Sequence, residues 1–310
     1  MKKSLLILGL AAAFASCSNE ETTNVAPQRA INFQSFVNNN TKAVTPVTTA
    51  TDFFVFGNAA DTKEPLVFNT QLFNNESDKA VYFWQENKTY RFGGYKDGEA
   101  NAQIAKNVAF DASKKQLTFT DYTVNDAKDL IAATAETTTT STEHAAVAMS
   151  FKHMLSQVKF TFNSTIGNET QTIKISNLKI NGVKMATGTL TDQVIAWTSA
   201  KEAEAYLYTL ETVFSKTEAT GTTDASFVIP QTISVEFDAT LNSGTTVTTH
   251  FTASNITIEA GFVYNLTAQI NPENILNPDG TNHQITFTPT VEKWQDKATV
   301  MNPAGNKVIK

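Results

Sequence analysis

Alternation of apolar and polar residues with a period of two recurs along most of this chain. Val158, Phe160 and Phe162 alternate with Gln157, Lys159 and Thr161. Val235, Phe237, Ala239 and Leu241 alternate with Glu236, Asp238 and Thr240. Phe262, Tyr264, Leu266, Ala268 and Ile270 form the longest clean run, and Ile285, Phe287 and Val291 the last. A strand sends successive side chains to opposite faces, so each run hides one face and wets the other. Antiparallel sheets stacked face to face have this pattern, which predicts an all-β chain. With 21 phenylalanines, the core is expected to rest on aromatic and β-branched side chains. In one segment the phase slips. Ile173 and Ile175 point one way, and Leu178 and Ile180 continue one residue out of step. A bulge, or a strand passing from one sheet to another, would produce this.

Turn signals punctuate the runs at Gly57-Asn58, Gly93-Gly94, Asp97-Gly98, Asn181-Gly182, Asn242-Ser243-Gly244 and Pro278-Asp279-Gly280. Helix is scarce. Residues Ser199 to Tyr208 could make two turns capped by Ser199, or Tyr206 and Tyr208 could belong to a strand. The threonine run Thr137 to Thr142 has no apolar face and reads as an exposed loop. A boundary is therefore expected near residue 148, giving an N-terminal unit of residues 30–148 and a C-terminal unit of residues 149–310. Each would hold enough strands for a sandwich.

Cys17 is the single cysteine of 310 residues. Lys2 and Lys3 come first, then an apolar run from Leu5 to Ala15, then Ser16 directly before the thiol. The run is too short to cross a membrane as a helix, which needs roughly 20 residues. A basic start, a short apolar stretch, small residues and a cysteine make a bacterial lipoprotein signal. Residues 1–16 are read as the signal peptide and Cys17 as the acyl acceptor, bound through its chains to outer-membrane lipid. Two or more acyl chains hold a protein at a membrane stably, whereas one does not. Residues 17–29, with Ser18-Asn19-Glu20-Glu21 and Thr22-Thr23-Asn24, form a polar tether.

The net charge of −6 gives no electrostatic footprint for nucleic acid. No catalytic constellation is present: there is neither a nucleophile elbow nor a phosphate-cradling glycine loop. His144, His153, His250 and His283 are scattered, and His153 reads as a structural histidine within a strand. Asn277 to Asn282 lacks the acidic ligands of a calcium loop and reads as a turn. No enzyme activity, metal or cofactor is expected.

An ordered set of motifs runs through the chain. Phe83-Trp84 precedes Tyr90-Arg91-Phe92-Gly93-Gly94-Tyr95 and Asp129-Leu130-Ile131-Ala132-Ala133. Then come Phe151-Lys152-His153-Met154-Leu155-Ser156-Gln157, Phe227-Val228-Ile229-Pro230-Gln231, Gly261-Phe262-Val263-Tyr264 and Val291-Glu292-Lys293-Trp294. With the lipidated Cys17, this set resembles the fimbrillin-like lipoproteins of Bacteroidetes, the pilin-type proteins of type V pili. The resemblance implies two tandem transthyretin-like Greek-key β-sandwiches. It also implies a lipid-anchored place on the outer face of the outer membrane, or in a fimbrium if the chain assembles. Glu20-Glu21 resembles the acidic patch of surface-exported lipoproteins in such bacteria.

In such pilins an arginine-specific protease removes the first strand, and a strand from a neighbouring pilin-like subunit fills the groove, a form of strand addition. Arg29 is the candidate processing residue here. It precedes the strand-like run Ile31 to Phe36, whereas Lys42 follows it. Residues Gln295 to Lys310 hold few apolar side chains, Ala298, Val300, Met301, Val308 and Ile309, and Pro303-Ala304-Gly305 interrupts them. Both departures lean toward an accessory, anchor or non-polymerising member. The alternative from another class is a cell-surface glycan-binding lipoprotein that never polymerises. A sugar platform would draw on Trp84, Tyr90, Tyr95, Trp197, Tyr206, Tyr208 and Trp294; a host or glycan ligand would then be the partner.

Overall fold

The computed structural model describes residues 30–37, 52–59, 68–73, 82–98, 104–125, 127–142, 144–198, 204–278 and 285–293. Among these the chain is almost wholly β, with one short helix. The strands of the first half are β1 (Phe33–Val37), β2 (Phe53–Ala59), β3 (Phe68–Phe73), β4 (Thr89–Lys96), β5 (Val108–Asp111), β6 (Gln116–Thr123), β7 (Ile131–Thr138) and β8 (Val147–His153). After them come β9 (Ser156–Asn163), β10 (Thr172–Gly182), β11 (Met185–Thr191), β12 (Val194–Thr198), β13 (Glu204–Leu207), β14 (Val213–Phe214), β15 (Thr220–Thr222) and β16 (Ser226–Val228). The last are β17 (Thr232–Asn242), β18 (Thr246–Thr257), β19 (Phe262–Gln269), the helix α1 (Pro272–Leu276) and β20 (Thr288–Lys293).

These strands make four sheets in two facing pairs. A six-stranded sheet in the order β1-β8-β7-β4-β2-β3 faces a four-stranded sheet β12-β11-β6-β5. Tyr95 of the first meets Phe119 of the second edge to face at 5.5 Å. Gly93 lies where the sheets come closest, since a Cβ there would stand 2.6 Å from the Phe110 ring. In the second pair, β13-β10-β17-β18 faces β15-β9-β19-β20, with β14 added to β10 and β16 to β9. Phe162 and Phe237 meet across that gap at 5.2 Å, and Phe287 packs on both.

The period-two runs behave as their alternation requires. Val158, Phe160 and Phe162 are buried on β9, as are Val235, Phe237, Ala239 and Leu241 on β17. Val291 departs from its run: Ile285 and Phe287 are buried, but Val291 on the edge strand β20 is exposed. The phase slip in β10 is a bulge. Register against β17 shifts between Ser176 and Lys179, and Asn177 takes a positive φ of 53°.

Some turn signals are not turns. Gly57-Asn58 lies inside β2 and Gly93-Gly94 inside β4. Asn242-Ser243-Gly244 does join β17 to β18, with Gly244 at φ +86°. Thr137 and Thr138 belong to β7, and Thr139 is fully buried, its hydroxyl shared between the carbonyls of Gln85 and Lys88. A run of threonines suits a strand edge as well as a loop, so composition alone misplaced this segment. Tyr206 belongs to β13, a strand rather than a helix, and its hydroxyl donates to the Val183 carbonyl at 2.7 Å.

Strand pairing crosses residue 148. β8 begins at Val147 and continues to His153 within the first pair of sheets. Further on, the hairpin of β11 and β12 pairs with β6, with Leu190 opposite Leu117. Only β9 onward, apart from that hairpin, builds the second pair.

Candidate functional site

β1 is five residues at the outer edge of its sheet among the described strands, and it pairs with β8 in parallel register, Phe33 with Val147 through Val37 with Phe151. Parallel pairs are slightly weaker per residue than antiparallel ones. The strand is pinned at its start. The Ile31 amide donates to the Tyr82 carbonyl and the Val147 amide to the Asn32 carbonyl, each at 2.7 Å. Alternation sets its inward residues: Ile31 and Phe33 are buried. The Phe33 ring stands edge-on to Phe53 at 5.9 Å and Phe92 at 5.3 Å. Behind these lie Trp84, Tyr90, Met149 and Phe151, which with Ile131, Ala133 and Val55 form a core cluster separate from the main one. Gly94 leaves room for this layer, because a Cβ would meet Met149 Cε at 2.8 Å. Chemically, the site is a slot along the edge of β8: β1 occupies a backbone ladder on one side and an aromatic pocket at one step.

The slot continues into the junction between the two pairs of sheets. β8 ends at His153, and β9 begins three residues later at Ser156; Met154 and Leu155 between them are fully buried. The backbone here is bound from both sandwiches. The Met154 amide donates to Leu130 at 2.8 Å, the Trp197 indole to the Met154 carbonyl at 2.8 Å, and the Gly261 amide to Leu155 at 2.9 Å. His153 Nδ1 donates to Asp129 Oδ2 at 2.5 Å, both side chains being almost wholly buried. The structural reading of His153 therefore holds, and the Phe-Lys-His segment is the crossing from one sandwich to the other.

Two further buried groups flank this pair. Asp97 accepts from the amides of Ile104 and Ala105. Burial pushes its carboxyl up, with those amides opposing. The Tyr122 hydroxyl is pushed well up by burial, and next by the charges of Asp97 and Asp129. On the outer face of the second sandwich the sense reverses. Asp238 is held down first by the Asn177 side-chain amide and then by His250, whose Nδ1 donates to it at 2.7 Å. No group of three or more His, Cys, Asp or Glu among the described residues is placed to hold a metal.

Cys17, Arg29, Lys42, His283 and Trp294 lie outside the described residues. Of the rings that a sugar platform would need, Trp84, Tyr90, Tyr95, Tyr206 and Tyr208 are buried in the cores. Trp197 alone among the described ones is partly exposed. No helix among the described residues is long and apolar enough to cross a membrane. Sequence reading missed the edge position of β1 and its parallel partner. The one available signal was Phe83-Trp84, whose Trp84 packs on Tyr90 and Phe92 beneath that edge.

Comparison with known proteins follows the same lines. A family model described as fimbrillin-like matches residues 29–294. A solved fimbrial protein from Bacteroides vulgatus superposes with a TM-score of 0.58 at 14% identity, covering 86% of this chain and 100% of its own. A candidate cell-adhesion protein from Bacteroides eggerthii gives 0.53 at 12%, covering 87% and 98%. One from Parabacteroides distasonis gives 0.50 at 10%, covering 86% and 96%. At these identities the likeness is one of fold. No curated protein sequence matches the chain.

Proposed function

Because the chain belongs to the fimbrillin-like family, a fimbrial or adhesin-type fold, we propose that it is a surface-displayed lipoprotein that joins other pilin-like subunits by exchanging its first strand. The observation that carries this is β1. It is short, among the described strands it lies at an edge with β8 as its partner, and it fills an aromatic pocket through Phe33. Losing β1 would bare the ladder of β8 and empty the pocket. An incoming strand that presented a large apolar side chain at that step would restore both. Cys17 would hold the precursor in outer-membrane lipid until processing. A boundary near residue 148 is part of the same proposal, with the β11–β12 hairpin assigned to the first unit because it pairs with β6; truncation after residue 198 would test it.

Processing decides the outcome. A cut at Arg29 would separate the lipid but leave Phe33–Val37 in place, so exchange requires a second cut beyond Val37, near Lys42. The experiment is incubation with an arginine-specific and then a lysine-specific protease, followed by N-terminal sequencing and denaturing gels without boiling. Ladders are expected only when residues 30–42 have left. Their absence from a chain shown to start after Lys42 would end the strand-exchange reading. Fatty-acid labelling that persists in Cys17→Ala would rule out the proposed anchor. The glycan-binding alternative draws little support from the rings, since five of them are interior.

A further inference from the structure

A cleft of about 380 Å³ opens where the two sandwiches meet, lined by Gln193, Ile195 and Trp197 of the first and by Pro230, Glu259 and Phe262 of the second. It falls within the roughly 300–1,000 Å³ of ordinary binding pockets. Both walls are tied to the segment that crosses between the sandwiches. On one side the Trp197 indole N–H donates to the Met154 carbonyl at 2.8 Å, and the ring lies over Gly188, where a Cβ would approach to 2.7 Å. On the other side the tight turn between β18 and β19 carries Glu259. Its carbonyl accepts from the Ser156 hydroxyl, and its amide donates to the Tyr264 hydroxyl at 2.9 Å. Gly261, at φ +77°, donates its amide to the Leu155 carbonyl at 2.9 Å. The ring, and the backbone that carries the acid, are thus held before any ligand arrives, which lowers the cost of binding.

The chemistry of the walls is one-sided. Trp197, Phe262, Ile195 and Pro230 offer aromatic and apolar surface. Glu259 is exposed, and its carboxylate enters no ion pair among the described residues. The side-chain donors are already engaged: the indole N–H by Met154, and Gln193 Nε2 by the Thr134 carbonyl and hydroxyl at 2.7 and 3.3 Å. Gln193 Oε1, an acceptor, is buried without a partner among the described residues. Lys152 does not line the cleft; its ammonium is tied to the Gln193 carbonyl at 2.7 Å. A sugar hydroxyl asks for donors as well as acceptors, and these side chains supply acceptors only. A cation with an apolar stem asks for aromatic faces and a carboxylate. Guanidinium fits better than ammonium, because it is planar, stacks on rings and meets a carboxylate through two N–H groups.

We propose that this cleft receives an arginine side chain carried on a segment of a partner protein, its guanidinium lying against Trp197 and Phe262 and paired with Glu259. The net charge of −6 favours a basic partner over the whole surface. The cleft also has space beyond the guanidinium for the backbone that bears it. The assignment does not depend on exchange of β1 and can stand or fall apart from it.

The test titrates the full chain, isotope-labelled at tryptophan, with a blocked Gly-Arg-Gly peptide and with its lysine and glutamine counterparts. The Trp197 indole resonance is identified by its loss in Trp197→Phe. It should shift saturably with the arginine peptide, less with the lysine peptide and not with the glutamine one. Glu259→Gln, an exposed change that keeps both backbone hydrogen bonds of the turn, should weaken arginine binding about two- to fivefold. Added salt should weaken it as well. Undiminished affinity in Glu259→Gln, or equal shifts with all three peptides, would overturn the assignment. So would free arginine binding as tightly as the peptide, which would make the cleft a small-molecule site. A shift with a methyl glycoside and none with the arginine peptide would assign it to a sugar instead. An indole unmoved at millimolar arginine peptide ends the proposal outright.

Discussion

Among the described strands each sandwich contains one parallel pair, and the two pairs are built on consecutive strands of the junction. β8 takes β1 as its parallel partner and β9 takes β19. The difference lies on the far side. β19 is held by β20 as well, in six antiparallel register pairs from Phe262–Lys293 to Thr267–Thr288, while β1 has only β8 among the described strands. In the second sandwich the parallel strand is therefore interior, and removing it would break two ladders. In the first it is an edge, and removing it breaks one. Among the described strands, the parallel strand of one half thus lies at an edge and its counterpart in the other half is interior. Local opening is expected from the edge and not from the interior.

The largest effect expected is in the half with the interior strand. Phe160 is wholly buried and meets Tyr208 at 4.9 Å and Phe287 at 5.6 Å. Phe160→Ala should cost about 3–5 kcal/mol, seen as a shifted denaturant midpoint. At the edge strand, Phe33→Ala should cost toward the low end of the about 3–5 kcal/mol range for Phe-to-Ala changes. Its signature should be local, with exchange protection lost along β8 and kept along β9. Equal loss in both halves would erase the contrast.

The junction couples the halves. Asp129→Ala leaves the buried His153 ring without its acceptor and should cost about 1–3 kcal/mol. Coincident melting of both sandwiches in wild type, split into two transitions in the variant, would show that the pair joins them.

Next in size is a pH effect that separates two aspartates. The Asp97 carboxyl is raised above 3.8 by burial. The folded state thus holds its proton longer than the unfolded state, and stability falls as pH climbs from 3.8 through the raised value. Asp97→Asn, which can still accept from Ile104 and Ala105, should flatten that slope in melts between about pH 4 and 7. Asp238 is lowered from 3.8, so its contribution is present above that value and is lost only as pH falls below it. Asp238→Asn should leave the upper slope alone. Smallest of all is Lys159→Ala, on the wetter face of β9, which should cost under about 0.5 kcal/mol. A cost near that of Phe160→Ala would mean that the faces of β9 are misassigned.

Much of this was written in the residues. Alternation alone puts Phe160, Phe237 and Leu266 inside, because a two-residue period leaves no freedom about which face a side chain takes. The slip between Ile175 and Leu178 announces a bulge or a change of sheet by the same rule, and the register shift against β17 makes it a bulge. The roles proposed for Cys17 and Arg29 rest only on chemistry and order along the chain, since a lipid-transfer reaction and a protease would recognise them rather than packing. Period two says nothing, however, about which strand lies beside which. Gly93-Gly94 reads equally as a turn or as a thin place between layers, and only the approach of Phe110 and Met149 decides it. The hairpin of β11 and β12 carries no mark that it returns to β6. Nor does the sequence show that β1 is an edge and β19 an interior strand. Pairing between distant segments is chosen by the whole set of faces competing for burial, and that competition is settled in three dimensions.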